Sequence, residues 1–123
     1  MAPIVGTKQR ILLVEDDWDV RLLLEHVLRD AGYEVDSTDT VVVARRHLAA
    51  QDYTLVLADG VLTDGSGITV ADDAVARGIK TLVITGYMLR LDKDALARHE
   101  FLMKPVRPQE LLSAVERRIA AER

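Results

Sequence analysis

Five polar residues of this 123-residue chain stand where short apolar runs stop. Glu15 and Asp16 follow "ILLV", Asp59 closes "TLVLAD", Thr85 closes "KTLVIT" and Lys104 closes "FLMK". Three carboxylates gathered in one place repel one another and raise each other's pKa unless a cation intervenes, and a hard divalent ion with oxygen ligands is the natural neutraliser. Magnesium fits that description best. A lysine and a threonine beside such an ion offer a phosphoryl group a positive point charge and a hydroxyl donor, with the metal on another oxygen. Asp59 would be the nucleophile.

These residues act together only if the chain carries them to one rim, and the patterning predicts that it does. Strand-like runs alternate with segments of helical period: "RILLVE", "DVRLLLEHVLRDAG", "YEVD", "TVVVARRHLAAQ", "TLVLAD", "SGITVADDAVARG", "KTLVIT", a short polar stretch around "LDKDALAR", "FLMK" and "RPQELLSAVERRIAAE". Five strands alternating with four or five helices predict an α/β fold, a mostly parallel sheet with helices on both faces, because parallel neighbours need crossover connections. Val20, Leu23, Leu24, Val27 and Leu28 keep the spacing of a buried helical stripe, with Gly32 as a stop. Val41, Val42 and Val43 favour a strand locally, yet Val41, Ala44 and Leu48 keep a helical stripe, which predicts a helix there. Consecutive apolar residues in "ILLV", "LVLA" and "LVI" fit strands covered on both faces. The alternating "YEVD" predicts an edge strand with Glu34 and Asp36 on its wetter side. In open sheets of this kind ligands bind beyond the carboxyl ends of the strands, where four of the five runs deliver the polar groups above.

Composition narrows the class. With 49% apolar and 29% charged residues the chain reads as one globular domain. Sixteen basic against twenty acidic residues, a net charge of -4, argue against a nucleic-acid partner, which would need a concentrated basic face. No apolar run approaches the roughly 20 residues of a membrane span, which predicts a cytoplasmic protein with no membrane partner. With no cysteine, any metal site must use oxygen or imidazole ligands.

At these residues the sequence resembles the CheY-like receiver domain of two-component response regulators, and the likeness runs from "ILLVEDD" to "LLSAVERRI". It implies a receiver over residues 10–121 after an N-terminal extension of residues 1–9, with no room for an output domain. It also implies a doubly wound, flavodoxin-like sheet of strand order 2-1-3-4-5. By that resemblance Glu15 and Asp16 are the acidic pair, Asp59 the phosphoacceptor, Thr85 the switch hydroxyl, Lys104 the phosphate-binding lysine and Phe101 the switch aromatic. The backbone carbonyl of Val61 is implied as a metal ligand beside Glu15, Asp16 and Asp59, and the Lys104–Pro105 bond as cis. Magnesium is the implied cofactor. The implied partners are a sensor histidine kinase or phosphotransfer protein and a downstream protein target, the chain itself being a monomer or weak homodimer. It would signal by a phosphorylation-dependent change of its protein-binding face, with slow self-catalysed dephosphorylation rather than enzymatic turnover.

Where the sequence departs from the pattern, two expectations follow. Thr63 stands where the family commonly has proline, and no chemical role is expected of it; Gly65 and Gly67 nearby give the backbone freedom beside a ligand. Only the fifteen residues 86–100 separate Thr85 from Phe101, so the fourth helix should be short or partly disordered. "VITGYM" resembles the "TGY" stretch of an α-proteobacterial subgroup of single-domain receivers in which this helix is reduced.

Blander readings stand beside these. Asp17 and Asp19 are expected to cap the first helix rather than bind metal. Thr85, Lys104 or either acid of the pair would alone read as an ordinary surface or strand-end residue, and Phe101 as core. His26, His47 and His99 have no partner at metal-ligand spacing. Alternatives to a signalling receiver are a phosphate sink in a phosphorelay, a receiver-like scaffold that never accepts phosphate, and an aspartyl phosphohydrolase. The last would need a second acid two residues after Asp59, where Val61 stands.

Overall fold

The computed structural model describes residues 9–86 and 92–121. Residues 87–91 of segment 86–100, among them Tyr87 of the "TGY" stretch, and residues 1–8 of the expected extension lie outside the described residues. In chain order the elements are β1 (Arg10–Val14), α1 (Trp18–Asp30), β2 (Glu34–Thr38), α2 (Val41–Ala50), β3 (Leu55–Asp59), β4 (Val61–Leu62), β5 (Gly65–Ser66), α3 (Gly67–Ala76), β6 (Lys80–Thr85), α4 (Lys93–Arg98), β7 (Phe101–Met103) and α5 (Pro108–Ala120). The main sheet is parallel throughout, in the order β2-β1-β3-β6-β7. Counting its own strands alone, that is the expected 2-1-3-4-5.

Successive residues of a strand point to opposite faces, so a sheet covered on both sides needs consecutive apolar residues. Ile11, Leu13, Leu55, Leu57, Leu82 and Ile84 face one way, into a cluster with Leu24 and Leu28 of α1 and Leu111, Ala114 and Val115 of α5. Leu12, Val14, Val56 and Ala58 face the other way, against Ala44 and Leu48 of α2 and Val70 and Ala74 of α3. Val83 joins Ile68, Ala71 and Ala95 in a third, smaller cluster that Phe101 half-covers.

Most helix signals act as expected. The Asp17 side chain accepts the Val20 N–H at 3.0 Å, and Asp19 lies in the first turn of α1, where the positive end of the dipole favours it. The β-branched run Val41–Val43 is helical: burial of Ala44 and Leu48 against the sheet outweighs its local strand preference. The fourth helix has only six residues, matching the expectation of a short one. Immediately after it, His99 is almost wholly buried, with Nδ1 3.0 Å from Thr81 Oγ1 and Nε2 2.7 Å from Asp72 Oδ1. The imidazole ties the approach to β7 to α3 and β6.

One expectation needs correction. Leu23 is 51% exposed, with Trp18 and Leu22 also on the surface, because it lies about 100° around the helix from Leu24, beyond the buried stripe. On the edge strand β2, as expected, Glu34 and Asp36 are the more open residues on either side of buried Val35, and Asp36 also accepts the Tyr53 hydroxyl at 2.7 Å. After Asp59 the chain adds an element with no counterpart in the sequence reading: β4 and β5 form an antiparallel hairpin of two-residue strands whose turn contains Thr63 and Asp64.

Candidate metal and phosphoryl-transfer site

Each residue singled out at the strand ends reaches the same rim by a different route. Glu15 directly follows β1, and its N–H bonds the Thr38 carbonyl at 3.0 Å, extending the β1–β2 ladder by one residue. Asp59 is the last residue of the central strand β3, and the next N–H, of Gly60, bonds the Ile84 carbonyl at 2.9 Å. Thr85 ends β6 fully buried. Its carbonyl accepts the Lys104 N–H at 3.0 Å, which fixes where the lysine leaves β7. Lys104–Pro105 is cis, as the resemblance implied.

Glu15, Asp16 and Asp59 each offer one oxygen such that all three lie within 4.8 Å of one another. Lys104 Nζ stands 2.5 Å from Glu15 Oε1 and 2.9 Å from Asp59 Oδ2, and both carboxylates are buried. Burial, followed by the Asp59 carboxylate beside it, pushes the Glu15 carboxyl up to about 7 against the pull of Lys104. On Lys104 burial works to lower the pKa, but the hydrogen bonds to Glu15 and Asp59 outweigh it and the net shift is upward. One ammonium thus faces two buried carboxylates with a third close by. That surplus of negative oxygen is a donor set suited to a hard divalent cation, with no sulfur or imidazole among the three.

The backbone around Asp59 is arranged to hold its carboxylate still. Oδ1 accepts the Val61 N–H at 3.2 Å while Oδ2 accepts from Lys104. Gly67 N–H bonds the Gly60 carbonyl at 3.1 Å, bringing the start of α3 so close that a Cβ on Gly67 would sit 1.7 Å from the Asp59 carbonyl oxygen. The glycine is therefore required by the approach of α3 rather than by backbone freedom. Gly65, at φ +153° in the hairpin, is the position that uses such freedom.

Of the residues expected at the site, Glu15, Asp16, Asp59 and Lys104 converge, and Thr85 is fixed to Lys104 through the backbone. Phe101 lies apart from the carboxylates, half-buried against Ile68, Ala71, Val83 and Ala95. Two contacts were not foreseen. Arg21 Nη1 donates to the Glu15 carbonyl at 2.8 Å, and Thr63, expected to have no chemical role, donates its hydroxyl to Asp16 Oδ2 at 3.0 Å. Arg21 carries no sequence signal for this, since any exposed helix position tolerates arginine. The signal at Thr63 was the departure itself, a side chain with a donor where proline has none.

Residues 11–116 match the response regulator receiver domain family. The response regulator receiver protein CpdR of Brucella abortus is 34% identical over 118 residues, which cover 92% of this chain and 98% of that protein. The structure of the response regulator protein TrrA from Thermotoga maritima, in complex with magnesium and BeF, is similar at a TM-score of 0.81 and 27% identity, over 89% of this chain and 97% of that one. The receiver domain of a sensor histidine kinase from Pseudomonas aeruginosa, with a magnesium ion coordinated in its active-site cleft, is similar at a TM-score of 0.82 and 27% identity, over 94% of this chain and 100% of that one.

Proposed function

This chain belongs to the response regulator receiver domain family, and from that premise we propose that it is a stand-alone receiver that takes a phosphoryl group on Asp59. The donor is a phosphohistidine on a sensor kinase or phosphotransfer protein, met in the cytoplasm. One observation carries the reading: Lys104, just after the last strand, is hydrogen-bonded at once to Glu15, just after the first, and to Asp59, at the end of the central one. A lysine spanning two buried acids is set where the oxygens of an incoming phosphoryl group would replace one of them.

In the proposed transfer an Asp59 carboxylate oxygen attacks phosphorus, the N–P bond breaks, and its electron pair stays on the imidazole nitrogen of the donor. Lys104 then exchanges its contact with Asp59 Oδ2 for a phosphoryl oxygen. The Val61 N–H keeps the other carboxylate oxygen in place, and the Thr85 hydroxyl turns toward the new group. A magnesium ion held by Glu15, Asp16, Asp59 and the Val61 carbonyl would supply charge neutralisation at the phosphoryl oxygens. Space vacated by Thr85 lets Phe101 turn inward, changing the face of α4, β7 and α5 that a downstream protein reads. Support for the stand-alone reading is that this chain spans nearly the whole of the Brucella relative. Whether the phosphorylated chain acts on a target or drains phosphate from another regulator is decided by a pull-down with and without beryllofluoride: a captured target favours signalling, none favours the sink.

The direct test is intact-mass measurement after acetyl phosphate treatment with magnesium. One added phosphoryl group is expected on the wild type and none on Asp59→Asn. Fluorescence of Trp18, the sole tryptophan, at the start of α1 close to Asp16, should respond to magnesium and again to beryllofluoride. An unmodified wild type that is also silent to beryllofluoride replaces this reading with the scaffold.

A further inference from the structure

We propose that Thr63 is a positioning residue for Asp16, and that the turn it shares with Asp64 carries the occupancy of the acidic cluster to the first turn of α2. The proposal rests on the reading that Glu15, Asp16 and Asp59 hold a divalent cation.

The hairpin has two working ends on adjacent residues. Thr63 Oγ1 donates to Asp16 Oδ2 at 3.0 Å, toward the carboxylate cluster. Asp64 turns the other way: its Oδ1 accepts the Val41 N–H at 2.8 Å and its Oδ2 the Val42 N–H at 3.2 Å. These are first-turn amides of α2, which no intrahelical carbonyl can satisfy. Thr40, the N-cap in sequence, satisfies only the next one, Val43 N–H, at 3.2 Å. Two of these three side-chain caps of α2 therefore come from a turn some twenty residues further along the chain. The Val41 and Val42 amides hold the Asp64 carboxyl below its ordinary range, which marks the cap as made by the ionised form.

The turn between these ends is stiff. Val61 and Leu62 pair with Ser66 and Gly65, Val61 N–H is tied to Asp59 Oδ1, and Ser66 Oγ donates to the Gly60 carbonyl at 3.2 Å. A Cβ on Gly65 would come 3.5 Å from the Val41 side chain, so the turn lies beside the same residue whose amide it caps. A carboxylate with one oxygen held by a hydroxyl has its plane set and its other oxygen free for a cation, which removes part of the ordering cost of binding. A cation that immobilises Asp16 in return immobilises Thr63, and with it the Asp64 cap. Coupling of this kind is reciprocal, so anything that fixes the start of α2 also favours the metal.

The test measures magnesium binding by calorimetry and amide exchange at Val41 and Val42 with and without magnesium. Thr63→Val should weaken magnesium binding about tenfold, the scale found when the hydrogen-bond partner of a metal ligand is removed. Thr63→Ser, which keeps the hydroxyl, should restore it. In the wild type magnesium should slow exchange at Val41 and Val42; in Thr63→Val that response should vanish while far-ultraviolet circular dichroism stays native. Asp64→Ala should lose the response and, because the coupling is reciprocal, weaken magnesium binding, though less than Thr63→Val, which also removes the hydroxyl on Asp16. Equal affinity in wild type, Thr63→Val and Thr63→Ser overturns the positioning role, and wild-type exchange indifferent to bound magnesium overturns the coupling; either leaves the receiver reading intact. A wild type that binds no magnesium overturns the metal reading and this proposal together.

Discussion

Glu15 is a carboxyl buried against Asp59 with a single lysine to offset the pair, and its titration should be visible in the stability of the whole domain. Its carboxyl sits near 7 in the folded chain against an ordinary value of 4.5. Between those values the folded state binds more proton than the unfolded one, so the Glu15 contribution to metal-free stability is full below about 4.5 and is lost as pH rises through about 7. In chelator, the urea midpoint should therefore fall across that window, and Glu15→Gln should flatten the fall; identical profiles for the two proteins would remove Glu15 as the cause. Magnesium should bind more tightly as pH rises through the same range, since proton and cation compete for one carboxylate. That the acids would conflict was legible from their positions at the ends of apolar runs. That one lysine would bridge two of them, or that Thr63 would hold the third, was not, because side-chain contacts between distant strands depend on register that a sequence does not print.

Elements show the same division. Apolar runs and helical stripes located the strands of the main sheet and α1, α2, α3 and α5, because burial on two faces writes consecutive apolar residues and burial on one face writes a 3.6-residue period, whereas α4 lies in a stretch that read only as short and polar. Leu23 was misplaced since a five-member stripe cannot say how wide the covering partner is. The β4–β5 hairpin was missed because two-residue strands have no periodicity to read. Its neighbour Gly67 shows how tightly α3 is seated: Gly67→Ala places a methyl group against backbone that cannot swing aside, at an expected cost of about 3 kcal/mol or more. Asp17→Ala, which only removes the exposed cap of α1, should cost about 1 kcal/mol. Chemical denaturation of the two variants measures both, and a Gly67→Ala midpoint no lower than that of Asp17→Ala would contradict the close approach described for α3. Asp64, by contrast, reads from sequence as an ordinary turn residue, and only the fold shows that it caps a helix it does not precede.

Across the whole molecule, the cluster draws on the ends of β1 and β3 and is braced by the lysine after β7, so a ligand bound there joins pieces of chain separated by whole crossovers. Its stabilisation should accordingly be global. At a magnesium concentration one hundred times the dissociation constant the gain is about 2.7 kcal/mol. It should slow the exchange of the most protected amides of β1, β3 and β6 together, and a hydrogen-exchange map in which magnesium protects only residues 60–67 would show instead that the effect is local. No helix among the described residues is long and apolar enough to cross a membrane.

The pairing of Glu15 with Lys104 bridges 89 positions of chain. During synthesis both acids of the first strand leave the ribosome long before the lysine exists, and the central aspartate follows them unaccompanied. A nascent chain thus carries an unneutralised acidic knot until almost its last strand is made. The cation that offsets Glu15 and Asp59 is in place only when that strand has arrived, so a product truncated before it lacks the bridge that joins the two acids in the folded chain.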